Sequence, residues 1–174
     1  MEDASARGPA PREQSRLALG RGDALLLLLA LVVIALDQLS KWVIRANLDR
    51  GDAWPSDGWL VKIVHITNSG AAFGFFQGAG PLLAITSVVG MAFILVYLFN
   101  PGFAHPLMRI GLALMLGGAV GNLIDRLAEG RVVDFIKVPN FPAFNVADSA
   151  ITIGVLCLLW AIFKETEAEK SASS

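Results

Sequence analysis

The chain has 174 residues, of which 55% are hydrophobic and 17% charged, with a formal net charge of −1 and a mean hydropathy of +0.59. That composition is too apolar for an ordinary water-soluble domain of this length and implies an integral membrane protein. Lys and Arg are nowhere clustered as phosphate binding requires, so no nucleic-acid partner is expected, and a single cysteine, Cys157, excludes an intramolecular disulfide.

In chain order, residues 1–20 are rich in Ala, Pro, Ser and charge without apolar periodicity and read as a disordered cytoplasmic tail. Arg7, Arg12, Arg16 and Arg21 precede the first apolar run, Ala24 to Ile44, which has about the ~20 residues needed to cross a bilayer. A cleaved signal peptide is the rival reading, but Asp37 and Lys41 fall in the last third of the run and no small-residue cleavage site follows. Asp37 and Lys41 are four apart with the acid first, so they share one helix face in the favourable order for an ion pair. The pair is either structural or part of a site; in both cases that face points inward.

A turn-rich segment, DRGDAWPSDG, follows, with Trp54 and Trp59 suited to the headgroup level. Trp59 to Thr67 is β-branched and predicts a strand. It leads into Asn68-Ser69-Gly70-Ala71-Ala72-Phe73-Gly74, whose small residues permit close backbone approach while Asn68 can donate and accept, although an ordinary turn has the same composition. The second span covers 81–99 and stops at Asn100-Pro101-Gly102. The third covers about 107–124, with Gly117 and Gly121 at the small-xxx-small spacing of closely packed membrane helices. The segment RVVDFIKV reads as a strand, the fourth span covers 145–163, and 164–174 is a charged cytoplasmic tail. The fold class is therefore an all-α integral membrane protein of four transmembrane helices, with a small β-containing extracytoplasmic loop region; residues 21–163 form its membrane domain.

By the positive-inside rule the arginines before the first span put the N-terminus in the cytoplasm, and four crossings return the C-terminus there. Asp37, Lys41, Asn68, Asn122, Asp125, Arg126, Asp134, Asn145 and Asp148 then all fall at the outer boundary of the bilayer. Packing alone gives no reason for that coincidence, so a site at the outer surface is expected. Asp37 has Lys41 one turn away and Asp125 has Arg126 beside it, which suits both acids to ionised, bracing roles. Asp134 shares its strand face with Val132 and Ile136, where desolvation raises a carboxyl's pKa. Asp148 opens the fourth helix, where Asn145 is placed to cap and the dipole favours negative charge.

Carboxyls in such different settings make a natural acid and base. From local sequence the alternative stays open that Asp148 is only a helix-start residue and Asp134 only a loop acid. Ser40 and Lys41 are adjacent and point about 100° apart, Ser149 lacks an evident base, and His65 and His105 lack further zinc-type ligands, so no cofactor or metal is expected.

The strings LDQLSKW, ITNSGAAF, GGAVGNLIDR, GRVVDFI and FPAFNVADS, in that order, resemble the bacterial lipoprotein signal peptidases, or type II signal peptidases. The resemblance runs from Asp37 to Ile151. It implies a four-span inner-membrane aspartic endopeptidase that removes signal peptides from diacylglyceryl-modified prolipoproteins, cutting just before the lipidated cysteine. It implies further that Asp134 and Asp148 are the catalytic dyad, with Asp37, Lys41, Asn68, Asn122, Asp125, Arg126 and Asn145 positioning substrate or supporting the site. Lipid-modified prolipoproteins and membrane lipids are the implied partners, and a monomer is expected. A competing class, a small transporter or proton conductor, would spread polar groups along the bilayer depth, whereas here they gather at one end.

Overall fold

The computed structural model describes residues 20–56, 58–69, 80–100 and 105–172; the sequence motif from Gly70 to Gly74 and the tail through residue 19 lie outside these. Among the described residues, four helices are long and apolar enough to cross a membrane. They are α1 (Arg21–Asn47), α2 (Gly80–Leu98), α3 (Pro106–Glu129) and α4 (Val146–Ala172), with strands β1 (Ala53–Trp54), β2 (Lys62–Asn68) and β3 (Val132–Lys137) between them.

Helix α3 is the axis of the bundle and packs against each of the other helices. Its glycines explain how. A Cβ on Gly117 would come within 2.8 Å of the Ala30 carbonyl on α1, and one on Gly118 within 2.4 Å of the Ala147 carbonyl on α4. Leu112 and Leu116 of α3 fill the remaining space with Ala30 and Leu98. The opposite faces of the helices expose Leu28, Leu36, Phe93, Leu156 and many other apolar side chains. Such a surface is unstable in water and natural against lipid tails. At the far end from the sheet, Asp23 and Arg109 pair across the starts of α1 and α3.

The three strands form an antiparallel sheet in the order β1-β2-β3. Strand β1 is too short to carry a periodic signal and was not anticipated in the sequence. Gly130, in the left-handed conformation at φ 70°, ends α3, so β3 starts within two residues of it. The register pairs Ile66 with Asp134 and Asn68 with Val132. Val133 and Phe135 turn to the other side and pack on Ile44, which seats the sheet on the end of α1. After β3 the chain folds back, and Phe144 N–H donates to the Ile136 carbonyl at 3.0 Å. This return delivers Asn145 and the start of α4 beside β3.

Helix α4 continues to Ala172, well past the apolar run ending at Phe163. The segment KETEAEKSA contains no Gly or Pro, and Lys164 pairs with Glu167 at 3.1 Å, so nothing in it stops a helix.

Candidate active site

The site rests on a buried ionic group. Asp37 and Lys41 are fully buried and pair at 2.8 Å, and Lys41 also reaches Asp125 of α3 at 3.0 Å. Charges removed from water this completely survive only when each is paired and its remaining lone pairs are satisfied. They are. Asp37 Oδ1 accepts from the Ala147 N–H of α4 at 2.9 Å, and Asp125 accepts from Arg45 at 3.0 Å and from the Val133 N–H of β3 at 3.2 Å. One cluster thus ties α1, α3, β3 and α4 together. Gly121 leaves room for it, since a Cβ there would stand 2.6 Å from the Asp37 carboxyl.

Above this layer lie Asp134 of β3 and Asp148 of α4, joined through Asn145. The Asn145 side-chain amide donates to Asp134 Oδ1 at 2.9 Å, and its backbone N–H donates to Asp148 Oδ2 at 3.3 Å. In return Asn145 Oδ1 accepts from the Asp148 N–H at 2.9 Å. That reciprocal pattern is a capping box: the residue that starts α4 also sets the spacing of two carboxyls. Asn68 donates to Asp134 Oδ2 at 3.1 Å, and Asn122 donates to Asp148 Oδ1 at 2.8 Å. Asn122 Oδ1 accepts from Lys41 at 3.0 Å and from Asn145 at 3.2 Å.

Both carboxyls line a single cavity of about 540 Å³, together with Asn68, Asn122 and Arg126. Its remaining wall is mostly apolar, formed by Val132, by residues 141–144 before α4 and by Ile151 and Ile153 on α4, with Ser149 and Thr152 between them. Burial pushes the Asp134 carboxyl up to about 7, reinforced by the negative charge of Asp148 and opposed by Asn68, Lys41 and Asn145. A group poised there can hold or release a proton at neutral pH.

Of the sequence-predicted residues, Asp134, Asp148, Asn68, Asn122 and Arg126 line the cavity. Asn145, Asp37, Lys41 and Asp125 form the buried layer supporting it. The expected partnership of Asp125 with Arg126 is corrected: the cations on Asp125 are Lys41 and Arg45. Adjacent helix positions diverge by about 100°, so Arg126 turns to the cavity and its Nη1 lies 3.4 Å from Ser87 Oγ on α2. Arg45 was missed although it continues the Asp37, Lys41 stripe by another four residues. Gln38 was missed too; its amide lies 3.0 Å from the Gly121 carbonyl, holding α1 to α3. Ser40 and Ser149 spend their hydroxyls on the carbonyls of Asp37 and Asn145. His65 Nδ1 lies 2.8 Å from the Leu48 carbonyl, and His105 caps α3.

The family model described as signal peptidase (SPase) II matches residues 29–164, a stretch containing every residue of the cavity. The chain belongs to the signal peptidase II family. A lipoprotein signal peptidase of Moorella thermoacetica is 44% identical over 137 residues, covering 78% of this chain and 91% of the relative. One from Geobacillus thermodenitrificans is 42% identical over 147 residues, covering 82% and 92%. A solved bacterial membrane enzyme superposes with a TM-score of 0.77 at 31% identity, covering 82% of this chain and 90% of that one. As a signal peptidase II the chain is a protease that cleaves signal peptides from prolipoproteins. Its apolar helices make it a multi-pass protein of the bacterial inner membrane.

Proposed function

We propose that the chain is an aspartic endopeptidase in which Asp134 and Asp148 activate water against the peptide bond preceding a diacylglyceryl-modified cysteine. The observation that carries this is the bridge at Asn145, one residue donating to both carboxyls at the wall of a single cavity. Asp134, pushed up to about 7, enters the reaction protonated, and Asp148 enters as the carboxylate. Asp148 takes a proton from water as the oxygen attacks the scissile carbonyl carbon, while Asp134 gives its proton to the carbonyl oxygen. The tetrahedral intermediate collapses when the amide nitrogen receives the proton held by Asp148 and the C–N bond breaks. A hydroxyl proton of the intermediate returns to Asp134. The products are a signal peptide ending in a new carboxyl group and a chain starting with the lipidated cysteine.

The remaining site residues serve this pair. Asn122 uses both its oxygen and its nitrogen within the protein, so its part is to hold the dyad. Asn68 steadies Asp134 from β2, and Arg126 supplies a cation at the cavity wall beside two acids. With the N-terminus in the cytoplasm, the cavity opens at the outer face of the membrane. That is the level at which a diacylglyceryl group in the outer leaflet meets a signal helix in the bilayer. The apolar wall suits such a substrate.

The test is to incubate the purified full chain, in a lipid bilayer, with lipidated and unlipidated forms of one precursor and to weigh the products. A single cut directly before the lipidated cysteine, at least ten-fold slower without the lipid, is expected. A cut elsewhere, or equal processing of both forms, refutes the proposal.

A further inference from the structure

With Asn68, Asn122 and Asn145 are amides that reach the two aspartates, and each is useful only with its nitrogen turned to the carboxyl. An amide rotated by half a turn presents oxygen to a carboxylate, replacing attraction with repulsion. For Asn122 the choice is made at the other end of the group. Lys41 Nζ lies 3.0 Å from Asn122 Oδ1, and the Asn145 amide lies 3.2 Å from the same oxygen. An ammonium has only donors, so it accepts no orientation of Asn122 except oxygen inward. The nitrogen then points at Asp148 Oδ1, 2.8 Å away. The anchored oxygen also receives the Asn145 amide, which donates to Asp134 Oδ1 at 2.9 Å. Lys41 itself is fully buried, does not line the cavity and is fixed between Asp37 and Asp125.

We propose that Lys41 is a positioning residue for hydrolysis, whose grip on the Asn122 oxygen aims the Asn122 amide at Asp148. This rests on the dyad proposed above and assigns its orientation to one residue outside the cavity. The bland alternative gives Lys41 no function beyond balancing the buried carboxylates of Asp37 and Asp125. The two roles separate because a neutral side chain can keep the donor and lose the charge. In Lys41→Gln an amide nitrogen replaces the ammonium as a donor to Asn122; in Lys41→Met the donor is gone. Pairing each with Asp37→Asn keeps the cluster in balance, leaving Arg45 against Asp125.

The experiment compares the double variants Asp37→Asn/Lys41→Gln and Asp37→Asn/Lys41→Met for melting temperature, kcat, KM and pH profile on a lipidated precursor. Orientation by Lys41 predicts similar melting temperatures, with kcat at least five-fold higher for the Gln form and KM within two-fold. It also predicts that the acidic limb of kcat lies at higher pH in the Met form, because the dyad there loses a fixed donor. If both forms share one kcat and one pH profile, the orienting role is refuted and charge balance suffices. Should the double variants not fold, Lys41→Gln and Lys41→Met recovered as monodisperse protein must rank in the same order, or the inference fails. Loss of the dyad itself is read separately, from activity of Asp134→Asn.

Discussion

Gly118 offers a sharp test of how packing sets the site. A methyl group there would stand 2.4 Å from the Ala147 carbonyl oxygen and 2.8 Å from Ile151 Cγ1. Ordinary contact between such atoms begins near about 3.5 Å, so Gly118→Ala forces α4 away from α3 by about 1 Å. The obstructing oxygen belongs to backbone in the first turn of α4, between Asn145 and Asp148, where no side chain can swing aside. Overpacking of this kind costs about 1–3 kcal/mol, a tolerable loss of stability. A misplacement of about 1 Å at a reacting group, however, costs on the order of 10²-fold in rate. Gly118→Ala is therefore expected to lower the melting temperature by a few degrees and kcat on a lipidated precursor by about 100-fold. Gly90→Ala on α2 is the control, because a Cβ there meets nothing within 4 Å, and it should match the parent in both measurements. A Gly118→Ala protein with kcat within three-fold of the parent would refute the claim that α3–α4 contact sets the dyad.

Asp134 ionises near 7 when folded against about 3.8 when unfolded, so the folded protein binds the extra proton between those values. Stability contributed at this position is full below about pH 4 and lost as pH rises through about 7, by up to about 4 kcal/mol. Asp134→Asn should accordingly melt above the parent near pH 8, with the gap closing towards pH 4; a constant gap contradicts the assignment. Asn145→Ala loses a helix cap, costing about 1 kcal/mol, along with a donor to Asp134, and kcat should fall about 100-fold. Unchanged kcat in that variant would remove the bridge from the mechanism. Arg45 is partly exposed and shares the buried Asp125 with Lys41, so Arg45→Met should cost about 1.5–3 kcal/mol of stability and leave kcat within three-fold. A loss as large as that of Asn145→Ala would show that Lys41 alone cannot hold Asp125.

The features legible in the sequence were those with a periodic or spacing signature. The apolar runs announced four helices, Asp37 and Lys41 announced an inward face, and Asn145 announced the start of α4 by its distance from Asp148. The residue types around Asp134 announced a buried carboxyl. What stayed hidden depended on contacts between segments far apart in the chain. Nothing local distinguishes Arg126 from Arg45 as the partner of Asp125; that is decided by how α1 lies across α3. The second role of Asn145 requires the chain to return along β3, a bridge set by Phe144 and Ile136. Gly118 carries no mark in the sequence beyond the company of Gly117 and Gly121. Its neighbour across α4 is what makes it restrictive.

The central claim, that Asp134 and Asp148 act together on water, is tested most directly by single-turnover cleavage of a lipidated precursor by Asp134→Asn and Asp148→Asn. Each variant is first shown to be folded and to bind the precursor. Both are predicted to bind it with affinity close to the parent's and to cleave at least about 10²-fold more slowly. Cleavage at the parent rate by either variant would contradict the claim.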